Sequence, residues 1–208
     1  MNSDDREYRY SLDLGAGWVD VTLTEGSKTA AKELAAARVA QFNPLSLAVQ
    51  KTSFVDGLAH VALEAYENGA VVAGSYYSDS GINIANLELS VFGDDGVIPT
   101  PRGVQPMLLE WENMEVVGEP EVKYLDLSAG PAVRVQATIK EEKLFGRGRL
   151  AEFIRYAVCP AVNDDVVLVT VQWDTFQYSD DLTQMVDDMI DSLRVAPVDQ
   201  SGGEDSRA

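Results

Sequence analysis

The sequence predicts an α+β domain, with a largely antiparallel sheet flanked by helices, and three observations favour that class. Short segments that alternate apolar and polar residues, as half-buried strands do, recur along the 208-residue chain. The cleanest of them is 132–140. A helical pattern with a clear apolar stripe follows the last strand, and no linker is long enough to separate two domains. We therefore predict one domain over 8–195, with flexible termini at 1–7 and 196–208.

The first third of the chain is predicted to form a hairpin and two helices. Residues 8–14 and 18–23 alternate as strands do and flank a glycine turn, which is typical of a β-hairpin. Ser27 or Thr29 can cap an alanine-rich helix, which Pro44 ends because proline cannot continue a helix. Asp56 can cap a second helix, which an Asn-Gly pair ends.

The remaining chain is predicted to be rich in strands. Turn-forming clusters of glycine, proline and aspartate separate its apolar runs. We expect strands at 70–77, 82–92, 114–117, 121–127, 132–140, 150–158 and 166–175, and a short helix at 104–112.

The stretch 165–195 is predicted to close the core. Alternate residues from Val167 to Trp173 would share one face of a strand. Ser179 is the expected N-cap of the last helix, whose apolar stripe between 182 and 193 would pack on the sheet. This stretch indicates the fold of the chain but gives little indication of its chemical function.

The charge balance is unusual for a globular chain. Sixteen basic residues face 34 acidic ones, a formal net charge of −18. Phosphate recognition needs Lys and Arg to neutralise the ligand, so we expect no binding to nucleic acid or to anionic lipid. The acidity itself has two interpretations, solubility alone or attraction of a basic partner.

Residues for catalysis and metal binding are scarce. The chain has one cysteine, Cys159, and one histidine, His60, which excludes an internal disulfide framework and multi-cysteine zinc sites. No P-loop and no nucleophile-elbow motif is present, and the glycines at 146–151 follow no apolar strand. We interpret Cys159 as a packed, inert thiol and His60 as structural or exposed. The sequence thus predicts no catalytic, cofactor-binding or metal-binding residues.

Four pairs of adjacent aspartates invite a metal or glycosidase interpretation. Three of them lie in predicted turns or at a helix start, where aspartate is common in any case. The fourth, Asp187-Asp188, fits the polar face of the last helix. None of the pairs has the spacing of a calcium-binding loop, so we interpret them as structural.

No targeting or membrane-spanning segment is predicted. The first residues lack the basic and apolar regions of a secretory signal, and no lipidation cysteine lies near them. No run approaches the roughly 20 apolar residues that a spanning helix needs. We therefore expect a cytoplasmic protein without membrane insertion.

The segment 140–149, KEEKLFGRGR, is the most unusual local feature. Together with Arg155 it places five basic residues near one predicted hairpin tip of an acidic chain. A solvated loop is one interpretation. The other is a contact with an acidic partner, because aromatic and arginine side chains dominate the energetics of interfaces. The candidate partner-binding residues are Lys143, Phe145, Arg147 and Arg149.

Three phrases in the sequence resemble a known family. They are GWV at 17–19 after a tyrosine-rich strand, GPAVR at 130–134, and the closing phrase at 181–195 that ends IDSLRV. Their order resembles the Mog/PsbP-like fold, especially actinobacterial relatives of the LpqN type, over about 8–195. The resemblance lies in the order of elements and not in a catalytic motif.

The resemblance implies an antiparallel sheet flanked by helices and a non-enzymatic role. Members of the family include a regulator of the Ran GTPase, an accessory subunit of photosystem II and surface lipoproteins. No binding residue carries over, because no motif matches residue by residue. The chain also departs from the lipoprotein members, because it has neither their signal nor their lipid-bearing cysteine.

These inferences predict a non-enzymatic binding or accessory protein that acts through contacts with a protein partner and needs no cofactor. A carrier of a lipid or small apolar ligand is the first alternative, and it requires a deep apolar pocket. A carboxylate-based enzyme is the second, and it requires convergent carboxylates in a pocket.

Overall fold

The computed structural model describes residues 7–41, 51–78, 81–93, 96–111, 114–141 and 148–198. The strands of these residues are β1 Tyr8–Ser11, β2 Trp18–Asp20, β3 Val72–Tyr77, β4 Asn83–Gly93, β5 Met114–Leu127, β6 Gly130–Glu141, β7 Leu150–Val158, β8 Asp165–Trp173 and β9 Arg194–Pro197. The helices are α1 Lys28–Val39, α2 Lys51–Glu67, α3 Pro101–Val104 and α4 Ser179–Ile190, with 3₁₀ helices at Gln105–Leu109 and Phe176–Tyr178.

Seven of the strands form one antiparallel sheet in the order β2-β3-β4-β8-β7-β6-β5. The two remaining strands, β1 and β9, pair with each other in a separate antiparallel ribbon. The predicted class, α+β with a largely antiparallel sheet flanked by helices, is confirmed. The prediction of a single domain over 8–195 is not tested by this topology and stays a prediction.

The predicted opening hairpin is wrong. Tyr8 in β1 pairs with Pro197 in β9, whereas Trp18 in β2 pairs with Tyr76 in β3. Alternation identifies a strand but not its partner. Here Tyr10 and the residues that follow it pack against the core beneath α4, and that burial requires β1 to lie beside the chain's last strand.

The N-terminal cap predicted for α1 is confirmed, and the one predicted for α2 is wrong. Ser27 caps α1 through its Oγ, which accepts a hydrogen bond of 3.1 Å from the Ala30 amide. Asp56 is no cap, because α2 begins five residues earlier and Asp56 lies exposed within it. Phe54 explains the earlier start, since its buried ring packs edge-on against Tyr77 with centroids 4.7 Å apart. No helix in the described part of the chain is long and apolar enough to cross a membrane.

The connections of the second half differ in detail from the predicted ones. The strands expected at 114–117 and 121–127 are one strand, β5, with a register shift between Val117 and Glu121. Gly118, at φ 82°, lies at the shift, in a conformation that other residues rarely adopt. The short helix expected at 104–112 is the 3₁₀ helix Gln105–Leu109.

One face of the sheet, called here the α4 face, is covered by α4 and the β1–β9 ribbon. Alternate residues of β8 from Val167 to Trp173 are buried there, as predicted. The stripe of α4 that packs on them comprises Leu182, Val186, Met189 and Ile190. The predicted role of 165–195 in closing the core is therefore confirmed.

The opposite face, called here the split face, carries two separate apolar clusters. One lies between α1, α2 and strands β2 and β3, and the other lies beneath the 3₁₀ helix Gln105–Leu109 on β6 and β7. Between them the middle strands present polar, half-buried side chains, including Asn86, Glu88, Thr170 and Gln172. The helices α1 and α2 thus lie on one side of a strip of polar side chains, called here the polar floor, and the 3₁₀ helix Gln105–Leu109 lies on the other side.

Strand β6 has buried side chains on both faces of the sheet, and only one of these faces was predicted to be buried. The apolar positions that alternate through 132–140 are buried on the split face, as predicted. Their polar counterparts were expected in solvent, but Arg134 is only 1% exposed. The expectation is wrong because α4 crosses this side of β6 and covers the guanidinium with Asp187.

Candidate functional site

The predicted partner-binding segment joins β6 to β7 at one end of the sheet. Lys143, Phe145 and Arg147 lie outside the described residues, and Arg149 immediately precedes β7. The register places the two ends of this connection, in β6 and β7, at the same end of the sheet as the β3–β4 turn and the residues that follow β8. We call this edge of the molecule the loop end.

The basic residues of the segment do not all contribute free charge to the loop end. The Arg149 side chain is 74% exposed and forms an ion pair with Asp174. Lys140 pairs with Glu115 at 3.4 Å. Arg155, grouped with them from the sequence, lies elsewhere, because its position in β7 turns it toward the split face.

Three exposed apolar side chains lie at the loop end. Ile82 is 53% exposed, Leu150 43% and Phe176 44%, and each lies in or next to a connection at this end of the sheet. Single exposed apolar residues are ordinary, but several at one end of a sheet are candidates for a contact surface. Sequence analysis did not identify these three, because only the strand register brings them together.

A buried polar cluster makes the floor of the loop end rigid. The Trp173 indole Nε1 donates to Glu152 Oε2 at 2.9 Å and to Ser179 Oγ at 3.0 Å. The Ser179 hydroxyl donates in turn to the same Glu152 carboxylate. Ser179 was expected to cap α4, but Tyr178 holds that position and gives no side-chain cap. The serine instead shares the indole N–H with Glu152 and donates its own hydroxyl to that carboxylate, so the three side chains form one hydrogen-bonded cluster.

A second ionic cluster holds α4 on the sheet. The Arg134 guanidinium donates to Asp187 at 2.9 Å, to Glu121 at 2.9 Å and to Gln136 at 2.7 Å, while the Tyr156 hydroxyl also donates to Asp187. Burial by itself would lower the pKa of Arg134, but the hydrogen bond and charge of Asp187 outweigh it and raise that pKa. The arginine therefore stays cationic and every arm of its guanidinium is occupied.

The aspartate pairs do not form a site among the described residues. Asp165 accepts hydrogen bonds from Tyr10 and Asn163. Asp187 accepts a hydrogen bond from Arg134, so this residue contacts the sheet as well as solvent. Within the described ranges, no three His, Cys, Asp or Glu side chains are grouped so that they could hold a metal ion. Asp94-Asp95 lies outside the described residues.

Neither His60 nor Cys159 lies in an environment that favours catalysis. His60 is exposed on α2, with Nε2 3.9 Å from the Glu64 carboxylate. Cys159 is buried, and burial raises the pKa of its thiol, which disfavours the nucleophilic thiolate. Both positions agree with the structural interpretation drawn from the sequence.

An open cleft of about 400 Å³ lies at the outer edge of the sheet, beside β2. Trp18 and Val19 contribute its apolar wall, and the ion pair between Arg38 and Asp20, at 3.1 Å, lies on its polar side. This mixed, open cleft differs from the deep apolar pocket that a lipid carrier needs. It adjoins Gln41, beyond which the chain is not described.

The chain has similar solved structures but no matching sequence family. No family model matches the chain, and no curated protein sequence matches it. Among solved structures it is similar to LpqN, involved in cell envelope biogenesis of Mycobacterium tuberculosis, with 10% identity and a TM-score of 0.47 over 94% of this chain and 87% of LpqN. It is also similar to the cyanobacterial PsbP of Synechocystis, with 9% identity and a TM-score of 0.43 over 94% of this chain and 96% of that one.

These two structures are of the kinds that the sequence resemblance named. At 9–10% identity the likeness concerns the fold alone, and what those two proteins do is a statement about them.

Proposed function

We propose that the chain is a non-enzymatic binding or accessory protein that contacts an acidic protein partner through its loop end. The observation that supports this function best is that three exposed apolar side chains, Ile82, Leu150 and Phe176, lie at the same end of the sheet as the segment that carries Phe145. The hydrogen-bonded cluster around Trp173 holds this end of the sheet in place, so a partner could bind the segment without rearrangement of the strands that carry it.

The chemistry of the partner follows from the charges at this end. Lys140 and Arg149 pair with Glu115 and Asp174. We therefore assign the attraction of the partner to Lys143 and Arg147, which lie outside the described residues. They would confer local attraction for acidic groups on a chain that otherwise repels them. Phe145 would supply the apolar anchor between them.

The two alternatives lack a comparable surface in the described residues. A carboxylate enzyme needs acids that converge on a reacting group, whereas Asp165, Asp187 and Glu152 each accept hydrogen bonds that hold the fold. A carrier of an apolar ligand needs an enclosed apolar cavity, and the cleft beside β2 is open and part polar. The cytoplasmic location stays a prediction.

The test is affinity capture from the native host, followed by mass spectrometry of the retained proteins. We expect the double variant Phe145→Ala, Arg147→Ala to lose a specific acidic partner while keeping the melting temperature of the wild type. A second variant, Phe176→Ser, should reduce recovery of the same partner, because its ring lies exposed at the same end.

A matched double variant at the opposite end of the sheet controls for a general loss of arginine and apolar surface. Arg9→Ala with Val162→Ala removes the same kinds of group from two exposed positions, which the hydrogen bond from the Tyr8 hydroxyl to the Val162 carbonyl places near each other. It should leave recovery unchanged. Equal recovery by wild type and both loop-end variants, or equal loss in the control, would refute the proposal.

A further inference from the structure

The end of α2 places a chemically labile pair of residues against the polar floor. Asn68, just past α2, is the only asparagine of the sequence that glycine follows. Its side-chain Nδ2 donates to both carboxylate oxygens of Glu88, on β4, at 3.2 Å. Gly69 follows with φ 78°, and both residues of the pair are exposed to solvent. The proposed function uses neither of them.

An asparagine followed by glycine can rearrange without an enzyme. The glycine nitrogen, once it has lost its proton, attacks the asparagine Cγ, and the side-chain nitrogen leaves as ammonia. The cyclic imide then takes up one water molecule and opens to aspartate or isoaspartate, so an amide and water give an acid and ammonia. Glycine allows this approach because it has no side chain. The space beside Gly69 is open, since a Cβ added there would have no described atom within 4 Å beyond its own neighbours in the chain.

The folded chain restrains both of the groups that must react. The Asn68 side chain has to turn back over its own peptide bond, but its hydrogen bonds to Glu88 hold it toward β4. The Gly69 N–H donates to the Tyr66 carbonyl at 3.0 Å, which stabilises the proton that has to be lost. The Asn68 N–H donates to the Glu64 carbonyl at 2.9 Å. Attack therefore requires the last turn of α2 to open, and helix ends open more readily than a core does.

The aspartate product would lose the contact that holds the asparagine. Its carboxylate has no N–H to donate and would face the Glu88 carboxylate at the distance of the present hydrogen bonds. Burial raises the pKa of Glu88, and the hydrogen bond from Asn68 opposes that rise. The charge of Glu64 raises this pKa further, and that of Arg155 lowers it. Deamidation would thus replace an attraction by a repulsion, in a chain whose net charge is already −18.

We propose that Asn68 is a site of spontaneous deamidation, which Glu88 restrains while α2 is docked and whose products weaken the attachment of α2 to β4. The isoaspartate product also adds one methylene to the backbone, which moves Gly69 away from the carbonyl that it caps. Because ammonia is lost to solvent, closing the helix again does not restore the asparagine. The modification therefore records each opening of the helix end that leads to attack.

The first test measures the rate at Asn68 in the intact chain and in a synthetic peptide of residues 64–74, at mildly alkaline pH, by peptide mapping with mass spectrometry. Both should form aspartate and isoaspartate, and labelled water should place one solvent oxygen in each product. We expect the folded chain to react at least about tenfold more slowly than the peptide, because only its open fraction reacts. Glu88→Ala should raise the rate in the folded chain at least about threefold, since it removes both acceptors that hold the side chain.

Glu115→Ala is the matched control, because Glu115 is an exposed acid on the edge strand β5, paired with Lys140. It should leave the rate at Asn68 unchanged. Three results would each overturn the proposal: no conversion in the folded chain over many half-lives of the peptide, equal rates in the folded chain and the peptide, or equal rates in Glu88→Ala and the control.

The second test measures the consequence by thermal melting, without waiting for the reaction. Asn68→Asp has the side chain of the aspartate product and should lower the melting temperature by about 3 °C. The same substitution made in Glu88→Gln should lower it much less, because the glutamine amide can donate to the new carboxylate. An equal drop in the two backgrounds would show that the new acid does not act through Glu88 and would contradict the proposed weakening of α2.

Discussion

Two arginines on opposite faces of the sheet show how differently the same side chain is used. Arg134, on the α4 face, is buried and gives hydrogen bonds to Asp187, Glu121 and Gln136. Arg155, on the split face, is half-buried, binds two carbonyls, and its Nε has no partner among the described residues. Within the described ranges, carboxylates at hydrogen-bond distance neutralise Arg134 but not Arg155.

The tryptophans repeat the contrast. Trp173 on the α4 face donates its N–H to Glu152 and Ser179, whereas the N–H of Trp111 on the split face has no partner in the described residues. A fully paired polar network makes a fold rigid, whereas a buried donor without a partner costs stability. We therefore interpret the network of the α4 face as contributing more to stability than the incompletely paired one of the split face.

The largest effect should come from the tryptophan of the α4 face. Trp173→Ala removes a side chain that is 2% exposed and leaves a cavity, so we expect a loss of roughly 3–5 kcal/mol in the free energy of unfolding, enough to unfold a marginal domain. Urea denaturation followed by far-ultraviolet circular dichroism measures the change. Trp111→Ala should lower the free energy of unfolding less, because Trp111 is only half-buried. Equal losses in the two variants would contradict the contrast between the faces.

The next largest effect concerns the arginines themselves. Arg134→Ala leaves Asp187, on the side of α4 that faces the sheet, without its cation, and breaking a buried ion pair costs roughly 3–5 kcal/mol. We expect the lower end of that range, because the Asp187 side chain is still 36% exposed. Arg155→Ala should cost about 1.5 kcal/mol, typical of a hydrogen bond to a charged group. A larger loss for Arg155 in the same denaturation experiment would reverse the proposed roles.

The smallest effect should depend on pH. Burial raises the pKa of Glu88 above that of an exposed glutamate, partly opposed by its hydrogen bond from Asn68. The folded chain thus holds this proton more tightly than the unfolded chain, so its contribution favours folding at low pH and is lost as the pH rises through the raised value. Glu88→Gln should therefore melt at a higher temperature than the wild type near pH 7, with a smaller difference near pH 3.

Calorimetric melting across that pH range checks the prediction. Glu115→Gln, on an exposed edge position, should change the melting temperature little at either end of the range. A Glu88→Gln variant that is less stable than the wild type at neutral pH would show that the bond from Asn68 outweighs the cost of burying the charge.

Local periodicity explains how much of the fold could be predicted. The strand at 132–140, the β8 stripe that ends at Trp173 and the Ser27 cap each depend on residues within one element, and each is confirmed. Strand partners were not predictable in this way, because the pairing of β1 with β9 is set by burial across the whole chain.

The polar residues show the same limit more sharply. Alternation assigns Arg134 to solvent, since it contains no information about the helix that later covers that side. Proximity in sequence groups Arg155 with the loop end, although the pleat turns it to the other face. Ile82 and Phe176 join the candidate surface only through the register of three strands, so no local pattern could have identified them.

The contrast between the faces is tested most directly by two double-mutant cycles measured under one set of conditions. One cycle combines Arg134→Ala with Asp187→Ala, and the other combines Arg155→Ala with Glu88→Ala. We expect a coupling free energy near the upper end of the usual 0.5–3 kcal/mol, about 2–3 kcal/mol, for the first pair and below about 0.5 kcal/mol for the second. Equal coupling in the two cycles would show that Arg155 and Glu88 already satisfy each other, and that the split face is as closed as the face beneath α4.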